Sequence, residues 1–136
     1  MKLRPCLSQR SPYYLSKHRY YELKHFCLQY PEWKKLYSVL APAIPGGSII
    51  RVDRSHYEDK IFEIAALRSD LKRNIEMVER VSRQVDPILG EWIFLAVTDG
   101  VSYTTLKTRY DIPCGKDLFY IYIRKFYSML SVEKGL

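Results

Sequence analysis

The sequence has little of what a membrane protein or a secreted protein usually shows. Its 136 residues contain no run of about 18 consecutive apolar residues, so no segment is predicted to span a membrane. The basic start of the chain lacks the apolar segment of a secretory signal. The three cysteines are odd in number and widely spaced, which favours a reduced, cytoplasmic protein over a disulfide framework.

Motifs that bind phosphate, nucleotides or metal are also missing. The chain has no phosphate-binding loop, no dinucleotide-binding glycine pattern and no His-Glu-x-x-His helix. His18, His25 and His56 lack the paired spacing of a zinc site, so we expect surface histidines. We expect Cys114 to be a small turn residue; the alternative is a reactive thiolate, because Cys114 precedes a predicted helix whose dipole would lower its pKa. The sequence therefore predicts a protein that is not an enzyme and that holds no metal and no cofactor.

What the sequence does have is positive charge, and that charge is unevenly distributed. The net charge is +7. Residues 1–40 hold 8 Lys and Arg against 2 Glu, residues 41–85 hold 8 against 7, and residues 86–136 hold 6 against 6. The surplus predicts a polyanionic partner, and residues 1–15, with two prolines and no helical periodicity, predict a flexible basic arm.

The next stretch predicts two helices. Ser16 is a good N-cap for a helix that continues to about Gln29, and Pro31 fits the first turn of a second helix. Apolar residues recur at helical spacing in both helices, at Tyr20, Leu23, Cys27 and Tyr30, and at Trp33, Leu36, Tyr37 and Leu40. Lysines and arginines alternate with these aromatics, as they do in single-strand nucleic-acid binders, but the spacing favours a core role.

After a loop at Ala41–Ser48, the longest helix is predicted over Tyr57–Val85, opened by Asp53 or Ser55. Its apolar residues follow a heptad repeat, with Tyr57, Ile64, Leu71, Val78 and Val85 at one position and Leu67 and Val81 at the other, where Asn74 is the one polar break. Such a seam either packs on the protein's own helices or forms a homodimer interface. With residues 16–85 as a helical body and residues 86–136 as a helix-turn-helix unit of the same compact domain, the sequence predicts an all-α bundle with a long central helix.

The last third predicts a helix-turn-helix. Asp86-Pro87 starts an apolar helix that ends near Asp99-Gly100, and Ser102 caps a helix over Tyr103–Tyr110. Pro113 and Gly115 then break the helix around the apolar Ile112. A second helix follows, with Phe119, Ile123, Phe126 and Leu130 on its buried face and Lys116, Tyr120, Arg124 and Tyr127 pointing elsewhere.

These residues also resemble a known family. The run Tyr103–Leu106, the triplet Asp111-Ile112-Pro113 and the stretch Phe119–Tyr127 are similar to the C-terminal helix-turn-helix of RinA/ArpU-type phage transcriptional activators, over about residues 86–130. The resemblance implies a prophage-encoded regulator in the cytoplasm of a bacterial host, with a DNA-binding end like region 4 of sigma factors. It implies double-stranded DNA as the partner, with RNA polymerase or another protein as a second one.

Seven residues are the candidates for DNA contact under this interpretation. Ser102, Tyr103 and Thr104 would contact the DNA backbone, and Lys107 is a further candidate for DNA contact. Lys116, Tyr120 and Arg124 would face the major groove. Two other interpretations stay open: a solvated basic face on an ordinary bundle helix, and a non-enzymatic protein-interaction module of phage origin that inhibits or adapts a host or phage machine. The neutral charge of residues 86–136 favours the last of these.

Overall fold

The computed structural model describes residues 11–40 and 54–136, and all regular structure in these ranges is α-helical. The six helices are α1 (Lys17–Leu28), α2 (Tyr30–Val39), α3 (Arg54–Val85), α4 (Gly90–Asp99), α5 (Tyr103–Tyr110) and α6 (Lys116–Glu133). The predicted all-α bundle with a long central helix and a C-terminal helix-turn-helix is confirmed. The predicted loop at Ala41–Ser48, the capping candidate Asp53 and the first ten residues of the predicted arm lie outside the described ranges.

Two of the predicted helix starts are capped by the expected serine. The Ser16 hydroxyl accepts a 3.3 Å hydrogen bond from the Arg19 amide, and the Ser102 hydroxyl accepts one of 3.2 Å from the Thr105 amide. Each bond satisfies one of the amides that a helix start leaves without a main-chain partner. Pro31 stands in the first turn of α2, as predicted.

The start of α4 differs from the prediction. The Asp86 carboxylate accepts hydrogen bonds of 2.9 and 2.7 Å from the amides of Ile88 and Leu89, so it closes a turn. The helix itself begins only at Gly90. Ile88, predicted to belong to the apolar helix, is therefore an exposed residue of that turn. Pro87 fixes only its own φ, whereas the two hydrogen bonds to the Asp86 carboxylate determine the conformation of the residues that follow.

Helix α3 is the central element, and α2 runs antiparallel along it. The Tyr30 hydroxyl donates a 3.0 Å hydrogen bond to the Glu79 carboxylate. Seven residues further along α2, the ring of Tyr37 lies 4.1 Å from the Arg68 guanidinium. Since α2 ends at Val39, the turns of α3 before Arg68 extend past the end of α2.

Helices α4 and α6 cover the second half of α3. A Cβ atom on Gly90 would lie 2.7 Å from the main-chain oxygen of Ser82, so the backbones of α3 and α4 touch there. Along α6, Arg80 pairs with Glu133 at 3.0 Å and the Lys125 amine donates a 3.1 Å hydrogen bond to the Val85 carbonyl. The α6 chain is therefore antiparallel to α3, with its start beyond the C-terminal end of α3.

The heptad seam of α3 divides into two halves with different surroundings. Leu71, Val78, Val81 and Val85 are buried in the core with Ile75 of the same helix. Tyr57, Ile64 and Leu67 are exposed, and Asn74 between the halves is partly buried. The interpretation that the seam packs on the protein's own helices thus holds for the second half, where α2, α4 and α6 lie.

Candidate nucleic-acid interface

Helices α5 and α6 are joined by side-chain contacts across the turn. The Tyr103 hydroxyl donates a 2.8 Å hydrogen bond to the Cys114 carbonyl, and the Tyr103 and Phe119 ring centres lie 5.4 Å apart. Ile112 is fully buried at the turn, as predicted, and its amide donates a 3.3 Å hydrogen bond to the Leu106 carbonyl. The first turn of α5 is therefore held beside the start of α6.

The side chain of Lys107 stabilises the turn. Asp111 ends α5 in the left-handed conformation, with φ of 48°, which aspartate tolerates better than most residues. The Lys107 amine donates a 3.3 Å hydrogen bond to the Ile112 carbonyl and lies 3.6 Å from the Asp111 carboxylate. Its position at the C-terminal end of α5 also matches the helix dipole. Lys107 thus has a structural role in addition to any contact with a partner.

The three residues predicted to contact a DNA backbone differ in what their side chains do. Ser102 and Thr104 are exposed, although the Ser102 hydroxyl already accepts the capping bond from Thr105. Tyr103 is half-buried, and its hydroxyl is engaged by the Cys114 carbonyl. Tyr103 therefore positions α5 against α6.

The buried face predicted for α6 is confirmed, with one residue added. Phe119, Ile123, Phe126 and Leu130 are all buried. Tyr127, predicted to point elsewhere, is buried as well, with its ring centre 5.1 Å from that of Tyr20. It follows Ile123 by one turn and so lies at the edge of the buried stripe, where α1 covers it. Burial raises the pKa of the Tyr127 phenol well above its ordinary value.

Tyr120 and Arg124 lie beside α1 and are not on the outermost line of α6. Both are partly buried. Burial raises the pKa of Tyr20 on α1, the positive charge of Arg124 opposes that rise, and the Tyr120 phenol adds to it. These interactions place the first turns of α1 next to the middle of α6. Both side chains lie off the buried stripe, as predicted, but they are less exposed than an outward face would make them.

The outermost line of α6 carries aliphatic side chains, although Lys116, Tyr120 and Arg124 were predicted there. Leu118 is 44% exposed and Ile121 is 42% exposed, and Val132 continues the line. Lys116 is exposed at the start of the helix. The spacing offered a signal for this, because Leu118 and Ile121 are three residues apart and both fall off the Phe119–Ile123 stripe.

The helix-turn-helix is positively charged although the last third of the chain is neutral overall. Residues 102–125 hold five bases and two acids, a net charge of +3. The bases are Lys107, Arg109, Lys116, Arg124 and Lys125, and the acids are Asp111 and Asp117. The remaining acids of the last third lie before and after this unit in the sequence, although Asp86 lies close enough to Cys114 in the turn to act on its pKa. The neutrality of residues 86–136 therefore does not describe the surface that α5 and the first half of α6 present.

Cys114 does not have the environment of a reactive thiolate. Burial raises the pKa of its thiol, and the nearby charge of Asp86 raises it further. The positive charge of Lys107 acts in the opposite direction but does not prevail. The predicted lowering of the pKa by the helix dipole is wrong, since Cys114 lies two residues before α6 and is partly enclosed. The interpretation of Cys114 as a small residue that fits the turn remains.

Compared with models of protein families, with curated proteins and with solved structures, this chain matches none. The resemblance to RinA/ArpU-type activators therefore stays a prediction. In the described ranges, no three His, Cys, Asp or Glu side chains lie close enough to hold a metal ion. None of the helices in those ranges is long and apolar enough to cross a membrane.

Proposed function

We propose that this protein binds double-stranded DNA through the helix-turn-helix of α5 and α6, as a phage-type transcriptional regulator. The observation that carries the proposal is the net charge of +3 on residues 102–125, concentrated on two helices whose starts are held together by Tyr103. A positive surface of this kind attracts phosphate by releasing the counterions of the duplex. The exposed Lys116 at the start of α6 is the best-placed phosphate contact, because the N-terminal end of the helix adds to its charge.

Base readout in this proposal depends on the outermost line of α6. Leu118 and Ile121 are aliphatic, so the contact they offer in a major groove is to thymine methyl groups. Arg124 lies to one side of them, next to α1, and approaches the flanking phosphates more readily than a base edge. The basic residues among residues 1–40 then add electrostatic attraction to the phosphates, which does not depend on the DNA sequence.

A second candidate is a protein-interaction module that inhibits or adapts a host or phage machine. The observation that favours it is the same pair, Leu118 and Ile121, because exposed aliphatic side chains on a helix also fit an apolar partner surface. The two candidates differ in what the surrounding bases do. Phosphate binding needs them, whereas an apolar interface depends mainly on Leu118 and Ile121.

Titration of a labelled random duplex at several salt concentrations tests the proposal. We expect affinity to fall steeply with salt, and Lys116→Ala to weaken binding and reduce the salt slope by about 1. The matched control is Arg73→Ala, which removes one positive charge from an exposed position about 18 Å before Val85 along α3 and outside the apolar seam of that helix. Equal losses in both variants, or no binding by the wild-type protein at low salt, would reject the DNA proposal and favour the protein-interaction module.

A further inference from the structure

The first half of α3 carries an apolar stripe that no described helix covers. Tyr57 is 43% exposed, Ile61 and Ile64 are each 37% exposed, and Leu67 is 44% exposed. We call these four side chains the α3 stripe. They continue the line of Leu71 to Val85, which is buried in the protein's own core. A stripe in phase with a core yet open to water is typical of an interface.

A groove runs beside the α3 stripe, where α2 meets α3. Its volume is about 370 Å³, and the residues that line it are Tyr37, Ile61, Ile64, Ala65, Arg68, Ser69 and Lys72. The Arg68 guanidinium lies on the ring of Tyr37, and its buried Nε atom has no hydrogen-bond partner among the described residues. The groove thus offers aliphatic walls and one incompletely satisfied cation.

Charged residues in and beside the α3 stripe would face residues of opposite charge if the helix paired with an antiparallel copy of itself centred on Ala65. Glu58 lies seven residues before Ala65 and Lys72 seven after it; Lys60 lies five before and Asp70 five after. All four residues are exposed. Among residues 11–40 and 54–136, Asp70 and Lys72 make only exposed helix pairs, at 3.2 Å with Arg73 and 3.9 Å with Glu76. Pairs of that kind are weak and exchange readily.

We infer that a second copy of this chain packs antiparallel on the α3 stripe, with a two-fold axis near Ala65. This arrangement places Glu58 opposite Lys72 of the second copy and Lys60 opposite Asp70 of the second copy, each pair occurring twice. Glu58 and Lys72 lie on the same flank of the helix, and same-flank residues meet when two helices run antiparallel. The contact is isologous, so it closes as a dimer.

A parallel arrangement does not fit the fold. From Leu71 onward the seam is occupied by the protein's own α2, α4 and α6, and a parallel partner would need that same space. An antiparallel partner centred on Ala65 overlaps α3 only as far as about Lys72 and leaves the two bodies at opposite ends. Together with α2 of each copy, the paired α3 helices then form four-helix packing.

Sedimentation velocity over a protein range of about 5–200 µM tests the dimer. We expect a mass of twice 16.1 kDa at the upper end. Ile64→Glu, beside the two-fold axis, should give a monomer, because it brings two carboxylates into an apolar contact. The control Ala66→Glu adds the same charge on the opposite side of α3 and should remain dimeric. Circular dichroism confirms that both variants are folded.

A charge swap tests the antiparallel pairing itself. Lys72→Glu should raise the dissociation constant at least tenfold, since it places two acids opposite each other twice. Adding Glu58→Lys to the same chain should restore most of the affinity. A monomer at the highest concentration, a dimer unaffected by Ile64→Glu, or no recovery in the double variant would each overturn the inference.

Discussion

The hydroxyl of Tyr103 donates a 2.8 Å hydrogen bond to the main-chain oxygen of Cys114. This bond and the ring contact with Phe119 hold α5 against α6. Tyr103→Phe keeps the ring but removes the donor, so we expect a loss of about 0.5–1.5 kcal/mol in the free energy of unfolding. Denaturant titration measures it. Tyr110→Phe, at an exposed position of the same helix, is the control, and an equal effect in both variants would contradict the role of Tyr103.

The buried face of α6 was readable from the sequence, whereas its outer surface was not. Phe119, Ile123, Phe126 and Leu130 are apolar at helical spacing, and the hydrophobic effect alone assigns them to the core. Tyr127 and Arg124 have amphipathic side chains that fit either a core edge or a surface. Their surroundings depend on where α1 packs, a contact about a hundred residues away in the chain.

The heptad seam of α3 shows the same limit. Its repeat is equally regular from Tyr57 to Val85, so the pattern predicts an interface along the whole helix. Which half meets the protein's own helices depends on where α2 ends, beside Arg68. The apolar pattern of α3 contains no information about where α2 ends. The interpretation that the seam packs on the protein's own helices therefore holds for the second half of α3, and the dimer inferred above concerns the first half.

The contact between α3 and α4 requires glycine at position 90. A Cβ atom there would lie 2.7 Å from the Ser82 carbonyl oxygen, and both groups belong to helical backbone. We expect Gly90→Ala to destabilise the protein by about 1–3 kcal/mol, because α4 must shift away from α3. Gly115→Ala is the matched control, with no atom within 4 Å of the added carbon and an ordinary φ of −79°.

Denaturant titration of the two glycine variants decides this prediction. Gly115→Ala should stay within about 1 kcal/mol of the wild-type protein, since a slightly poorer helix cap offsets the lower entropy of the unfolded chain. If Gly90→Ala were as stable as Gly115→Ala, the close approach of the two backbones would not exist in solution.

The fold should lose stability at alkaline pH because of its buried phenols. Burial, the hydrogen bond to Glu79 and the charge of that carboxylate raise the pKa of Tyr30 to about 12. An unfolded chain releases this proton near pH 10. The stabilisation is therefore fully present below pH 10 and is lost as the pH rises toward 12. Burial raises the pKa of Tyr20 and Tyr127 as well, so both add to the loss.

Comparison of Tyr30→Phe with the wild-type protein measures how much of the loss of stability at alkaline pH comes from Tyr30. The variant should be less stable than the wild-type protein at pH 8, because it lacks the bond to Glu79. Between pH 8 and pH 11, however, it should lose less stability than the wild-type protein does. Melting temperatures at the two pH values give the comparison, and an equal decrease in both proteins would show that Tyr30 titrates normally in the fold.

Phe126 is the largest fully buried side chain of the structure, and its truncation should be the most damaging change in α6. Removing a buried phenylalanine costs about 3–5 kcal/mol, because apolar contacts are lost and a cavity remains. Ile121→Ala removes an aliphatic side chain from the exposed line of the same helix and should cost less than about 1 kcal/mol. Denaturant titration of the two variants therefore separates the two faces of α6. Similar losses at the two positions would mean that α6 is rotated, with Ile121 packed inside and the proposed DNA-facing line wrongly assigned.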